Sequence, residues 1–321
     1  MTKKWDASEQ GLPWTPKKMS NAVKNLRNGG SIGFASGYEK LSRLTELDEK
    51  VFSVRGDLIL HIWSVEKNNK FTEEQLQVLS NLKNIRKLKL SGFKNSNLQQ
   101  IENLDKLEQI IIVSNKSLDI SFLEKMPNLK HLSLIGKYND LKILSDCKNL
   151  EKLYLQQTTI DNLNFLLPLK KLSHIMIDYS RVNCEFKPLE QSNIYDLTIT
   201  SITNLRDVSF LKKMKNLKKV RIDASKVEFL PDFLELEKLE YLELNYMKVW
   251  KNPEVLKTIK SLKVLKLKEI NTKLKAEQFY FLSTMDTLVE IDYKFIDFNK
   301  GRIKKLNDFF EKEGKSTLIK K

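Results

Sequence analysis

Residues 85–90 read IRKLKL, and the same six-place pattern, L-x-x-L-x-L with Ile or Val allowed for Leu, returns along most of the chain. It opens again at Leu107 (LEQIII), Leu129 (LKHLSL), Leu150 (LEKLYL), Leu172 (LSHIMI), Ile194 (IYDLTI), Leu217 (LKKVRI), Leu239 (LEYLEL) and Leu262 (LKVLKL). The intervals run from 21 to 23 residues, a constancy that chance does not produce. Within each copy the last places alternate apolar and polar, the period of a half-buried strand. A lone strand of this kind has nothing to bury against. Stacking the next copy ~4.8 Å away closes a continuous core and pairs the backbone groups. The remaining dozen or so residues must return the chain on the other side, and they too share a pattern: LDISFLEKMPNL at 118–129, IDNLNFLLPLKKL at 160–172, LRDVSFLKKMKNL at 205–217 and VEFLPDFLELEKL at 227–239.

Strand motif, repeat length and return segment together resemble the leucine-rich repeat family, within it the 22-residue bacterial type found in internalins, over roughly residues 57–296. The resemblance implies an α/β fold: a right-handed solenoid with a curved parallel sheet on the concave side, short 3-10, extended or helical turns on the convex side, and helical N- and C-terminal caps. The family places Asn three residues after the last strand Leu. Here that place holds Asn115 once, then Thr158, Ser180 and Ser225, with Phe93, Lys137, Ile202, Met247 and Ile270 elsewhere. The ladder is mostly missing at that place, so irregular turns are expected.

Stacked repeats expose core at their ends and need atypical closing segments. Residues 1–56 are expected to form a partly helical N-terminal cap. Thr15-Pro16 starts a helix over 16–28, Tyr38 to about Leu47 forms a second, and GGSIGFASG (29–37) is a cap turn. Leu58–Trp63 is then the first, divergent strand, and the capping box Thr72–Gln75 opens a helix to about Leu82. After the solenoid (57–296), in which Ala276–Met285 is helical and Leu288–Tyr293 is a late strand, residues 297–321 are expected to form a helical cap. Ile303, Leu306, Phe309 and Phe310 share one face of that last helix.

The 321 residues are 41% hydrophobic and 30% charged, with 10 Gly, 7 Pro and 2 Cys, a globular composition too poor in cysteine for a disulfide framework. No apolar h-region follows the basic N-terminus, and no apolar run approaches the ~20 residues that span a bilayer. A reducing, cytoplasmic setting is the expectation, and the 22-residue repeat with Lys, Asn and Ile richness points to a bacterium. Motifs that carry chemistry are weak. Gly314-Lys315-Ser316 lacks the upstream glycine and strand of a phosphate loop, and 29–37 lacks G-x-G-x-x-G spacing. Among the histidines, His131 and His174 hold the same strand place two repeats apart, and neither Cys nor a carboxylate pair joins them as metal ligands. Cys147 and Cys184 read as buried thiols. A non-enzyme with no cofactor is expected.

The third, fifth and seventh places of the motif point away from the core, onto the concave face. Over nine repeats these 27 places carry seven Lys or Arg and four Asp or Glu. Nucleic acid favours a continuous basic track, whereas exposed apolar and aromatic residues among polar ones suit a protein interface. The candidate partner-binding residues are Ile111, Val113, His131, Ile135, Tyr154, His174, Met176, Arg221 and Tyr241, with Tyr179 and Tyr246 at the rim. The expected function is a protein-binding scaffold, such as a bacterial immunity protein, inhibitor or adaptor. The alternative follows from the charge: 56 Lys+Arg against 41 Asp+Glu give +15, and residues 251–321 hold 17 basic against 10 acidic residues. That region, with the cluster Lys212, Lys213, Lys215, Lys218 and Lys219, offers a nucleic acid or an anionic surface a second place to bind.

Overall fold

The structure is a computed structural model that describes residues 12–64, 70–95, 97–294 and 301–320. Expectations for residues 1–11 and 297–300 lie outside the described residues. The backbone groups into two compact units, Met1–Thr158 and Thr159–Lys321. Each is a stack of repeated coils around a parallel sheet.

The first unit holds β1 (Ser31–Ser36), β2 (Ile59–Ser64), β3 (Lys87–Ser91), β4 (Gln109–Leu118), β5 (His131–Tyr138) and β6 (Lys152–Gln156), each parallel to the next. The sheet therefore begins earlier than expected. SIGFAS, read as part of a cap turn, is a strand buried along nearly its whole length, with Ser31 facing Ile59. Its alternation is masked because both faces are covered, which erases the period-2 signal. Return segments of the first coils are helical: α1 (Pro16–Asn25), α2 (Ser42–Leu47, continued by a π turn over Asp48–Phe52) and α3 (Glu73–Ser80). The first ends sooner than position 28, and the second starts later than 38 but ends at Leu47 as expected, before the π turn carries it on. The Thr72/Gln75 capping box is present in both directions. Arg55 fixes the end of α1 by donating to the carbonyls of Val23 and Leu26 while paired with Asp57. Later returns are 3-10 turns, several opened by an Asx turn such as Asp119 Oδ1 accepting from the Ser121 amide.

The second unit holds β7 (Thr159–Ile160) and β9 (Arg181–Val182), a short parallel pair, and the main strands β8 (His174–Asp178), β10 (Asp196–Thr200), β11 (Lys219–Asp223), β12 (Tyr241–Asn245), β13 (Val264–Lys268) and β14 (Glu290–Lys294), parallel and in that order. Ala276–Thr284 is a 3-10 helix. α4 (Gly301–Lys312) packs on it: Leu306 and Phe310 are buried, and Phe309 stacks on Tyr280 at 3.8 Å. Ile303 is only half-buried. Arg302 is buried instead, donating to the carbonyls of Asn271 and Leu274. Ile319 bridges Ile291 and so extends the pairing beyond β14.

The turns vary from coil to coil, with a register shift between Ser114 and Leu118, and two other ladders tie them together. In five coils the residue just before the motif reaches back one coil to a backbone oxygen: Asn128 to Asp105, Asn149 to Pro127, Asn193 to Lys170, Ser261 to Leu239 and Thr287 to Leu262. The eighth place of the motif takes the left-handed conformation in seven coils, at Gly92, Gly136, Gln157, Tyr179, Ser201, Tyr246 and Glu269. At Gly136 glycine is obligatory, because a Cβ would lie 1.8 Å from the Ser114 carbonyl oxygen. Inward Leu and Ile at places one, four and six fill the core; Leu239, Leu242 and Leu244 are fully enclosed, each burial worth roughly 1.5–3 kcal/mol.

Candidate protein-binding face

In the first unit the outward places of β4, β5 and β6 carry the predicted Ile111, Val113, His131, Ile135 and Tyr154. Register sets Val113 beside Ile135 and Ser133 beside Tyr154. All five are half-buried rather than exposed. Outward side chains on strands ~4.8 Å apart cover one another, so alternation identifies the face but overstates its exposure. The Tyr138 hydroxyl donates to the carbonyls of Ile112 and Ile135 and locks the ends of β4 and β5. His61, on β2, lies 2.8 Å from the Ser91 hydroxyl; burial, aided by the Lys89 charge, lowers its pKa to about 4 and keeps the ring neutral.

In the second unit the predicted residues are joined by groups whose importance the sequence did not reveal. His174 meets the Tyr195 ring edge-on at 4.6 Å, and Met176 is half-buried beside Thr198. The centre is Glu243. Its side chain is 5% exposed although its strand place points outward. It accepts from the Tyr241 hydroxyl (2.6 Å), the Lys268 ammonium (2.9 Å) and the Asn245 amide (3.2 Å), with Arg221 Nε at 3.6 Å. Burial alone would raise its pKa, but these donors overcome it and bring the carboxyl down to about 2. Tyr241 is further fixed by Lys219 and Lys266, whose ammonium groups lie 5.3 and 5.4 Å from its ring centre. Asn245 also donates to Asp223 at 2.7 Å. Tyr241 and Arg221 are thus oriented by a buried polar network, while Tyr179 and Tyr246 stand out at 66% and 45% exposure on their left-handed turns.

The signal for Glu243 was present but indirect: Tyr-x-Glu-x-Asn on one strand, with two Lys at the matching places of the next. The map put these side chains on the outer face. What it lacked was which of them sink between neighbours, and that depends on side-chain length across strands.

Four of the five clustered lysines pair with carboxylates of adjacent coils. Lys212 pairs with Asp232, Lys213 with Glu190, Lys215 with Glu235, and Lys219 with Asp196. In the C-terminal region Lys251, Lys263, Lys305 and Lys320 pair with Glu228, Glu240, Glu277 and Glu290. On the return side of the second unit, a cleft of about 400 Å³ is lined by Cys184, Glu185, Lys187, Arg206 and Asp207, a set of mixed charge with no converging donors. Among the described residues no three His, Cys, Asp or Glu are placed to hold a metal ion, and no helix is long and apolar enough to cross a membrane.

No protein-family model matches this chain, and no curated protein does. Among solved structures it is similar to an internalin, InlF, of Listeria monocytogenes, at 15% identity with a TM-score of 0.43, over 74% of this chain and 87% of that one. An internalin C2 of the same organism gives 14% and 0.41 over 72% and 88%. A leucine-rich repeat protein of Leptospira interrogans gives 17% and 0.45 over 99% and 95%.

Proposed function

We propose that the chain is a non-catalytic protein-binding scaffold that works through the outward face of its sheet. The observation that carries this reading is the Glu243 network, which holds Tyr241 and Arg221 in fixed positions on a face bordered by exposed Tyr179 and Tyr246. Tyrosine and arginine are the side chains that most often anchor interfaces, and holding them before contact lowers the ordering cost of association. Ile111, Val113, His131, Ile135, Tyr154, His174 and Met176 supply further contact area in this reading. An immunity protein, an inhibitor and an adaptor all work this way. Two free thiols, Cys147 and Cys184, agree with a cytoplasmic setting.

The nucleic-acid reading has less support, because four of the five clustered lysines, and Lys251, Lys263, Lys305 and Lys320 of the C-terminal region, face carboxylates. The deciding experiment is affinity capture from the source cell with the wild-type chain and with Arg221→Ala/Tyr241→Ala. A protein retained by the first and lost by the second supports the proposal; equal recovery removes this face from consideration.

A further inference from the structure

The C-terminal rim of the second unit's sheet has a shape that protein binding in general does not require. The eighth places of four adjacent coils are Tyr179, Ser201, Ala224 and Tyr246, following β8, β10, β11 and β12 in sheet order. Two large exposed rings stand on either side of two small residues. Three strand spacings set the ring-bearing backbones ~14 Å apart. The two rings thus border a slot above half-buried Ser201 and fully buried Ala224.

The polar groups of this slot share one sign. The seventh places beneath it are Asp178, Thr200, Asp223 and Asn245. Thr200 donates to Asp178 at 2.5 Å. Asp223 has its pKa raised, first by burial and then by the Glu243 and Asp178 charges, which outweigh the lowering from Asn245 and Arg221. The Tyr246 phenol is raised by the Glu269 carboxylate first, with Asp223 and Tyr179 adding to the effect, so the two rings and these acids share one field. Two cations of neighbouring outward places, Lys268 and Arg221, are turned toward Glu243. A further observation is independent of the carboxylates. Asn245 is 3% exposed, both its donated hydrogen bonds go to Asp223 and Glu243, and its Oδ1 is buried with no donor. A buried acceptor without a donor carries a desolvation cost, which a donor that displaced its neighbours and reached it would relieve.

We propose that this slot receives an arginine or lysine side chain from a basic segment of a partner protein, held between Tyr179 and Tyr246 above Asp178 and Asp223. The inference rests on the protein-binding reading and adds the charge of the partner. A guanidinium lies flat on tyrosine faces and gives its hydrogens to carboxylates below, a match of shape as well as sign. A phosphate at the same place would meet Asp178, Asp223 and Glu269. The chain as a whole is positive at +15, so attraction of a basic segment here opposes the net charge and is local.

The test uses the full chain and a fluorescein-labelled hexa-arginine peptide, with binding read by anisotropy at low ionic strength. The wild type binds. Asp178→Asn/Asp223→Asn/Glu269→Gln weakens binding about tenfold or more, and Tyr179→Ser and Tyr246→Ser each weaken it severalfold. A remote charge control in the same unit, Glu237→Gln/Glu254→Gln/Asp286→Asn, leaves it unchanged, and thermal melts confirm that every variant is folded. No binding by the wild type, equal weakening by the remote control, or hexaglutamate binding that depends on the two tyrosines overturns the inference. The capture experiment fails separately: a partner lost with Arg221→Ala/Tyr241→Ala, together with indifference of the peptide to the slot variants, keeps the scaffold reading and discards the slot.

Discussion

Changing Glu243 to Gln removes the charge on which the second unit's outer face is organised. The carboxyl drops from 4.5 to about 2 on folding, which at 1.36 kcal/mol per pKa unit corresponds to about 3 kcal/mol. Its cationic partners are 34% and 46% exposed and recover hydration when the carboxylate is lost, so we expect about 2 kcal/mol of destabilisation at neutral pH. The sign follows from the depressed pKa. The stabilisation is complete above pH 4.5 and is lost as pH falls toward about 2, where the wild-type carboxyl also takes up its proton. Urea unfolding of wild type and Glu243→Gln, followed by far-UV circular dichroism across that range, measures both effects. The gap between the two curves should be widest at neutral pH and close steadily below pH 4.5. A variant as stable as wild type, or a gap that stays constant as the pH falls, would refute the reasoning that Glu243 is ionised and buried.

Gly136→Ala should cost about 3 kcal/mol or more, because the added methyl overlaps the Ser114 carbonyl and the residue sits at φ +115°; Gly314→Ala, at φ +66° in open space, should cost about 1 kcal/mol, and denaturant midpoints compare them. The Cys147 thiol, pushed up to about 12 by burial, should resist a disulfide reagent in the folded chain and react on unfolding, whereas half-buried Cys184 should react slowly before unfolding; a colorimetric thiol assay separates the two phases. His61 has a lowered folded pKa, so its contribution is intact above pH 6.5 and fades as pH falls to about 4, by about 1 kcal/mol after solvent screening; His61→Phe should flatten that part of the stability profile measured by thermal melting.

The repeat was legible because each strand must hide one face. That requirement writes Leu and Ile at fixed places from Ile85 to Leu267, and the structure buries them there. The first strand, Ser31–Ser36, was not legible because its burial on both faces removes the alternation and its glycines look like a turn. Asn128, Asn149 and Asn193 bridge the coils from the place before the motif and not from the place after the strand; composition shows the amides but not which way they reach. The outer face was mapped residue by residue from alternation alone. Glu243 and Asn245 escaped notice because whether an outward side chain sinks depends on the lengths of its neighbours across β11 and β13. The slot had one visible trace, Tyr at the eighth place of two repeats with Ser and Ala between, which gains meaning only when the coils are set side by side.

Tyr179 and Tyr246 occupy backbone conformations that suit glycine, and an L-residue there is strained by roughly 1 kcal/mol relative to it. Selection for heat resistance alone would therefore favour glycine at both positions and erase the rings without disturbing a single inward leucine. A laboratory-evolved, thermally hardened descendant of this chain should emerge smooth along that border. Its gain in melting temperature and its loss of grip would come from the same two codons.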